Sequence, residues 1–269
     1  MIDNYQQAAQ WIKQADGLLV TAGAGMGVDS GLPDFRGDQG MWQSYPALVE
    51  KSISFVDIAN PHFFDNDPQT SWGFYGHRLN LYRNTTPHNG FQILKQWSQS
   101  KQQGSFVFTS NVDGQFQKAG FDKMSIFECH GSIHQLQCKN DCEGSWAADN
   151  FKPIIDTENS RMYSDIPACP RCGHSARPNI LMFGDWNWQD ELYRRQMRRY
   201  QAWLGQVEKM VVIELGAGTH IPTVRHESER RAGKYLIRIN PREAQIPDGQ
   251  GVTISCGALD ALRQIDELL

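Results

Sequence analysis

GLLVTAGAGMGVDSGLPDFRG, Gly17–Gly37, begins as an apolar run and turns abruptly into glycine. A short apolar run ending in glycines, here Gly17–Ala22 followed by Gly23-Ala24-Gly25-Met26-Gly27, is the pattern of a buried parallel strand feeding a phosphate-binding turn. Glycine lets backbone N–H groups approach a pyrophosphate, and a following helix N-terminus favours negative charge. The cluster lacks the Lys-Ser/Thr ending of a nucleotide-triphosphatase loop, which argues against ATP hydrolysis. A phosphate cradle alone also does not account for the Pro-Asp-Phe-Arg-Gly that follows it.

Similar apolar runs recur at Ser105–Thr109, Met124–Phe127, Lys209–Leu215 and Tyr235–Asn240, with Gly251–Ser255 weaker. Helix-like stretches at Gly90–Ser98, Gln189–Leu204 and Pro222–Ala232 lie between several of them, and Ala258–Leu269 places Leu259, Leu262, Ile265 and Leu269 on one face. Strands alternating with helices predict an α/β fold, a Rossmann-like doubly wound parallel sheet covered on both faces. Two segments break the rhythm: an aromatic-rich, helical or irregular stretch from Gly37 to Pro87, and the cysteine-bearing stretch Cys138–Cys172. Both read as inserts that pack together as a smaller domain.

The chain has 269 residues and a net charge of -4, which argues against capture of nucleic acid or of an anionic membrane. No apolar run reaches the roughly 18 residues of a membrane span. The N-terminal MIDNYQQAAQWIKQADG reads as an amphipathic helix rather than a signal peptide, so a cytoplasmic location is expected.

Cys138-x3-Cys142 and Cys169-x2-Cys172 form two knuckles suited to tetrahedral Zn2+. Four thiolates fill the shell and leave no position for water, which makes the ion structural. Cys129 reads as an inert small side chain. His130, in a strand-to-loop setting, is a candidate general base or a hydrogen-bonded structural histidine. Ser110, Asn111 and Asp113 follow a strand, at the edge where open α/β sheets bind ligands, although Asn-x-Asp-Gly is also a common turn. A second glycine turn, Gly216-Ala217-Gly218-Thr219, and Asn240 close further strands, as a ligand with two anionic ends would require. Tyr75 and Arg78 are three apart on a helix; a phenol beside an arginine fork suits a carboxylate, or is an ordinary packed tyrosine and surface arginine. Trp186 and Trp188 read as core residues, and Arg194, Arg195, Arg198 and Arg199 as a solvated basic face.

Taken in order, G-A-G-x4-S-G-x-P-D-F-R-G, N-x-D-G, H-G-S, the cysteine pairs, F-G-D, a glycine turn and I-x-I-N resemble the sirtuin family of NAD-dependent protein deacylases, from about Ala15 to Leu262. The resemblance implies an NAD-binding domain from residues 1–36, 88–130 and 178–269, a helical insert at 37–87 and a zinc-binding module at 131–177. It implies NAD contacts at Gly23, Ala24, Gly25, Asp34, Phe35, Arg36, Ser110, Asn111, Asp113, Gly216, Ala217, Gly218, Asn240, Gly257 and Ala258. It further implies catalysis by His130 as base with Asn111, Asp113, Arg36 and Phe35, the ring shielding the reacting ribose from water. The acyl oxygen then takes the ribose carbon as nicotinamide leaves, giving free lysine and an O-acyl-ADP-ribose. An acylated lysine in a protein would be the partner, its chain pairing along Phe183-Gly184-Asp185. Tyr75 and Arg78 resemble the Tyr-x-x-Arg of the sirtuin class that removes succinyl, malonyl or glutaryl groups. ADP-ribosyl transfer or NAD hydrolysis on the same fold, and a non-catalytic NAD-binding module, are the other readings.

The chain departs from the family pattern at Gly27, Ser110, Gln115-Phe116, Ala217-Gly218 and Asp185, and its first cysteine pair is one residue wider.

Overall fold

The computed structural model describes residues 3–34, 44–140, 142–247 and 249–269. Phe35 and Arg36, read above as catalytic, lie outside the described residues. The opening helix Asn4–Gln14 leads into β1 (Gly17–Ala22), and the chain returns through β2 (Ser105–Thr109) and β3 (Ile126–Glu128). It then leaves the sheet for β4 (Gly131–Cys138), β5 (Ser145–Ala147), β6 (Ile155–Asp156), β7 (Arg161–Met162) and β8 (Ala176–Ile180). After the helix Glu191–Leu204 it re-enters as β9 (Met210–Leu215), β10 (Leu236–Ile239) and β11 (Gly251–Ile254).

The main sheet is six-stranded, in the order β11-β10-β9-β1-β2-β3. Its neighbouring strands are parallel. Strand side chains alternate between faces. Leu18, Val20, Val211, Ile213 and Leu215 therefore pack with Phe91, Leu94, Leu262 and Ile265 on one side. Leu19, Val212 and Phe106 pack with Tyr200 and Trp203 on the other. Both sheet faces are covered, which explains why the strands read as continuous apolar runs.

Two charges interrupt those runs, Glu214 in β9 and Arg238 in β10. They are register partners across the strand pair. Arg238 Nε and Nη2 donate to Glu214 Oε1 and Oε2 at 2.6 and 2.9 Å, and Nη2 also donates to Glu229 at 2.8 Å. The Arg238 and Glu214 side chains are 1% and 0% exposed. Each charge is acceptable at that depth because the other is there.

The smaller layer has its own core. Ile58, Phe64, Trp72, Phe74, Tyr75, Leu79 and Tyr82 from the helical insert share one cluster with Ile133, Leu136, Met162, Ala176 and Ile180 from the strands of the second insert. The long helix Pro68–Asn84 carries most of these aromatics. β5, β4 and β8 form a three-stranded antiparallel sheet, and β6 and β7 pair separately. Gly73 marks the closest approach: a Cβ there would meet the Ser160 carbonyl at 2.0 Å.

Candidate active site

Chain order runs outward from β1 to β2 and β3, then restarts on the other side of β1 with β9, so β1 and β9 flank the switch point of the sheet. Ligands of open α/β sheets bind outside the carboxyl ends of the strands at such a point. A cavity of about 490 Å3 lies there, of a size that suits a cofactor-sized ligand. Gly23, Ala24, Asp34, Ser110, Asn111, Asp113, His130, Gly216, Ala217 and Gly218 line it from the sheet side. Tyr75, Arg78, Tyr82 and Phe183 line it from the smaller layer.

The glycines carry a correction. Gly23 and Gly25 were read as presenting N–H groups to a pyrophosphate, yet those groups donate to Leu215 O and Gly216 O, each at 3.0 Å. β1 and β9 end in register at Ala22 and Leu215, so the two turns that follow lie backbone against backbone. A Cβ on Gly25 would sit 2.7 Å from Gly216 Cα, and Gly216 itself has φ +59°. Glycine is required there by the neighbouring turn. Gly218 is different: a Cβ would meet only Glu243 Oε2, at 3.7 Å, so the backbone there has room for a ligand. The first turn continues as a 3-10 helix, Ala24–Ser30.

Asn111 Nδ2 donates to Gly23 O at 2.9 Å, tying the β2 loop to the first glycine turn. Asp113 Oδ1 accepts from Gln115 N at 2.9 Å, and its carbonyl is bonded to His134 Nε2 at 2.9 Å. Burial lifts the Asp113 pKa to about 6, against the opposing pull of the Gln115 N–H and the Arg78 charge. Burial lowers the His130 pKa, so its imidazole is neutral at pH 7 and can accept a proton. Cys129 is buried, and that burial pushes its thiol up, away from the reactive thiolate. Glu128, beside them and buried, is raised to about 7 by burial.

Asn240 is fully buried with its side chain turned to protein: Nδ2 donates to Ala217 O at 2.9 Å, and Oδ1 accepts from the Arg242 and Glu243 N–H groups at 3.0 Å. It shapes the second glycine turn from behind. Gly257 caps the last helix beside Asp29, and neither it nor Ala258 is among the cavity-lining residues. Asp34 is joined to Arg242 by a 2.8 Å ion pair.

Phe183 reaches the cavity, and Asp185, expected to pair with the substrate through its backbone, turns its side chain into the protein. Its carboxylate, 0% exposed, pairs with Arg177 at 2.7 Å and accepts from Met182 N at 3.3 Å. It braces the Phe183 loop. Trp186 is not core: it is 96% exposed, whereas Trp188 packs edge-on against Tyr193.

Arg78 is enclosed by rings, its guanidinium 5.1 Å from the Phe74 centroid, 5.9 Å from Tyr75 and 5.5 Å from Tyr82. The reading of Arg78 as a surface side chain therefore fails, and Tyr82, which sequence reasoning missed, is its nearest polar partner among the bonds described. The spacing Phe74, Arg78, Tyr82, each four apart on one helix face, is the signal that points to it.

The four cysteine Sγ atoms of Cys138, Cys142, Cys169 and Cys172 lie within 4.8 Å of one another. A tetrahedral Zn–S shell separates its sulfurs by about 3.8 Å, and the donor set is the one zinc prefers. Asn140 N donates to Cys138 Sγ at 3.2 Å, the kind of bond that steadies a metal thiolate. The cluster fits structural zinc.

A switch-point cavity lined by a neutral histidine and a buried aspartate, together with a separate tetrathiolate cluster, defines a nucleotide-binding α/β enzyme with a zinc-bearing insert. The Sir2 family model matches residues 23–220, and the chain belongs to that family. It is 24% identical to an NAD-dependent protein deacylase of Thermus thermophilus over 97% of this chain and 93% of that one. It is 30% identical over 81% of its length to a probable bifunctional ADP-ribose hydrolase/ADP-ribosyltransferase of Fusarium oxysporum f. sp. cubense, of which it spans 38%. The solved complex of a Sir2 homolog with NAD superposes with a TM-score of 0.72 at 23% identity, covering 100% of this chain and 94% of that one. Among the described residues, no helix is long and apolar enough to cross a membrane.

Proposed function

We propose that the chain is an NAD-dependent protein-lysine deacylase that releases nicotinamide and an O-acyl-ADP-ribose. The observation that carries this reading is the convergence of Asn111, Asp113 and His130 on one cavity with the two glycine turns, in a Sir2 family chain whose full-length relatives are deacylases. NAD supplies the electrophile, a ribose carbon whose nicotinamide is the leaving group. His130, neutral and half-buried, takes a proton from a ribose hydroxyl. Asp113 accepts from the nicotinamide carboxamide, and Asn111 holds the first glycine turn against the reacting sugar. Exclusion of water from this cleft keeps the vacated carbon for the acyl oxygen rather than for hydrolysis. Zinc on the four cysteines stabilises the insert and takes no part in the chemistry.

The acylated lysine enters along the Phe183 loop. Arg78 and Tyr75 on the cavity wall favour an acyl group that ends in a carboxylate, such as succinyl. Incubation with NAD and acetylated or succinylated peptides tests the reading: nicotinamide release should depend on the peptide. His130→Ala should lower that release about 10²–10⁴-fold with the fold intact by circular dichroism. Peptide-independent release would replace this reading with NAD hydrolysis or ADP-ribosyl transfer.

A further inference from the structure

Arg78 is a long side chain, and recognising a carboxylate requires its guanidinium plane to be fixed before the ligand arrives. Tyr75, the residue the family spacing singles out, supplies a ring face at 5.9 Å. The hydroxyl that meets the guanidinium in the described geometry belongs to Tyr82: Arg78 Nε donates to Tyr82 Oη at 2.9 Å. Tyr82 is in turn held at its backbone, where its carbonyl accepts from Gln115 Nε2 at 3.2 Å. Gln115 is 1% exposed and stands two residues beyond Asp113, at one of the positions where this chain departs from the family. Phe74 and Tyr82 clasp the guanidinium from one turn before and one turn after, at 5.1 and 5.5 Å. Tyr82 also lines the cavity.

Resting on the acidic-acyl reading above, we infer that Tyr82 is the positioning residue for acyl recognition, its hydroxyl setting the Arg78 plane so that the acyl carboxylate is met through the Nη groups. Gln115 completes the device by fixing Tyr82 to the loop that carries Asp113. The specificity element of this chain is then Arg78–Tyr82, an i,i+4 pair, supplemented by Tyr75.

The test compares the full-length wild type with Tyr82→Phe, which keeps the ring and removes only the hydroxyl, on succinylated and acetylated peptides of one sequence. A hydrogen bond to a charged group of this kind supports an expected drop of about tenfold in the succinyl-to-acetyl ratio of kcat/KM, carried by KM of the succinylated peptide. A ratio unchanged in Tyr82→Phe, but lost in Arg78→Met, overturns the inference and leaves the acidic-acyl reading standing. Equal losses on both peptides in Arg78→Met, or a wild type that ignores the succinylated peptide, overturns both. Hydrogen exchange of the Arg78 Nε–H in the wild type, assigned by its disappearance in Arg78→Lys, decides the matter should Tyr82→Phe misfold. Slow exchange supports the bond; exchange at the rate of a solvated arginine removes it.

Discussion

Two arginines of this molecule are held on opposite terms. Arg238 sits inside the main sheet and meets the carboxylates of Glu214 and Glu229. Arg78 sits in the smaller layer, among three aromatic rings and a phenol, on the wall of the cavity. The first is neutralised by its own fold and has nothing left to offer a ligand. The second has three rings and a phenol among its described partners, and they fix its orientation at the cavity wall. A buried charge closed by carboxylates belongs to the architecture, and one framed by rings at a cavity belongs to the site.

Removing each charge should separate these roles. Arg238→Met leaves Glu214 buried without its partner, and the expected cost is about 3–5 kcal/mol. Urea denaturation should show a lowered midpoint, and the protein that remains folded should keep its acyl selectivity. A loss below about 1 kcal/mol would mean the pair is no more than neutral.

The carboxylates repeat the contrast. Glu214 is pinned by Arg238, whereas burial lifts Asp113 to about 6 despite the Arg78 charge. The folded pKa of Asp113 lies above the unfolded value near 4, so between about pH 4 and 6 the folded chain binds more protons than the unfolded one. Its contribution to stability is then lost as pH rises through that window. Asp113→Asn should remove this slope, gaining up to about 3 kcal/mol relative to wild type at pH 7.5 while abolishing peptide-dependent nicotinamide release. Melts at pH 4, 5, 6 and 7.5 measure it; Glu128 is raised to about 7 mainly by burial and to a lesser extent by the Asp113 charge, so in the variant it gives back a small part of its own shift and adds to the difference with the same sign. Wild type and variant differing equally at every pH would show that Asp113 titrates normally.

Arg78→Met should have the smallest effect on stability, within about 1 kcal/mol, because an unbranched thioether can occupy the ring-lined space. Its effect on selectivity should be larger, at least tenfold against succinylated peptide. A large stability loss with unchanged selectivity would place Arg78 in the architecture beside Arg238 and erase the distinction.

Much of this was legible in the sequence. The β1, β2, β9 and β10 runs stand out because both sheet faces are buried, and the cysteine knuckles stand out because metal ligands keep local spacing. Glu214 and Arg238 carried a readable signal too: opposite charges near the ends of two otherwise apolar strands ask for each other. Other features had no local signal. Trp186 has core chemistry and is 96% exposed, since the Arg177–Asp185 pair fixes the turn that carries it outward.

By itself, the sequence determined the alternation of strands and helices, the metal-type cysteine pairs and the polar residues that end the strands, since each depends on neighbours within a few positions. Tertiary structure alone decided that Gly23 and Gly25 serve the turn of Gly216 more than a phosphate, that the Asp185 carboxylate turns inward to Arg177, and that Tyr82 holds Arg78 on the cavity wall. Those outcomes depend on strand order and on how two inserts share one core, and chain segments far apart in sequence acquire such contacts only when the sheet has brought them together.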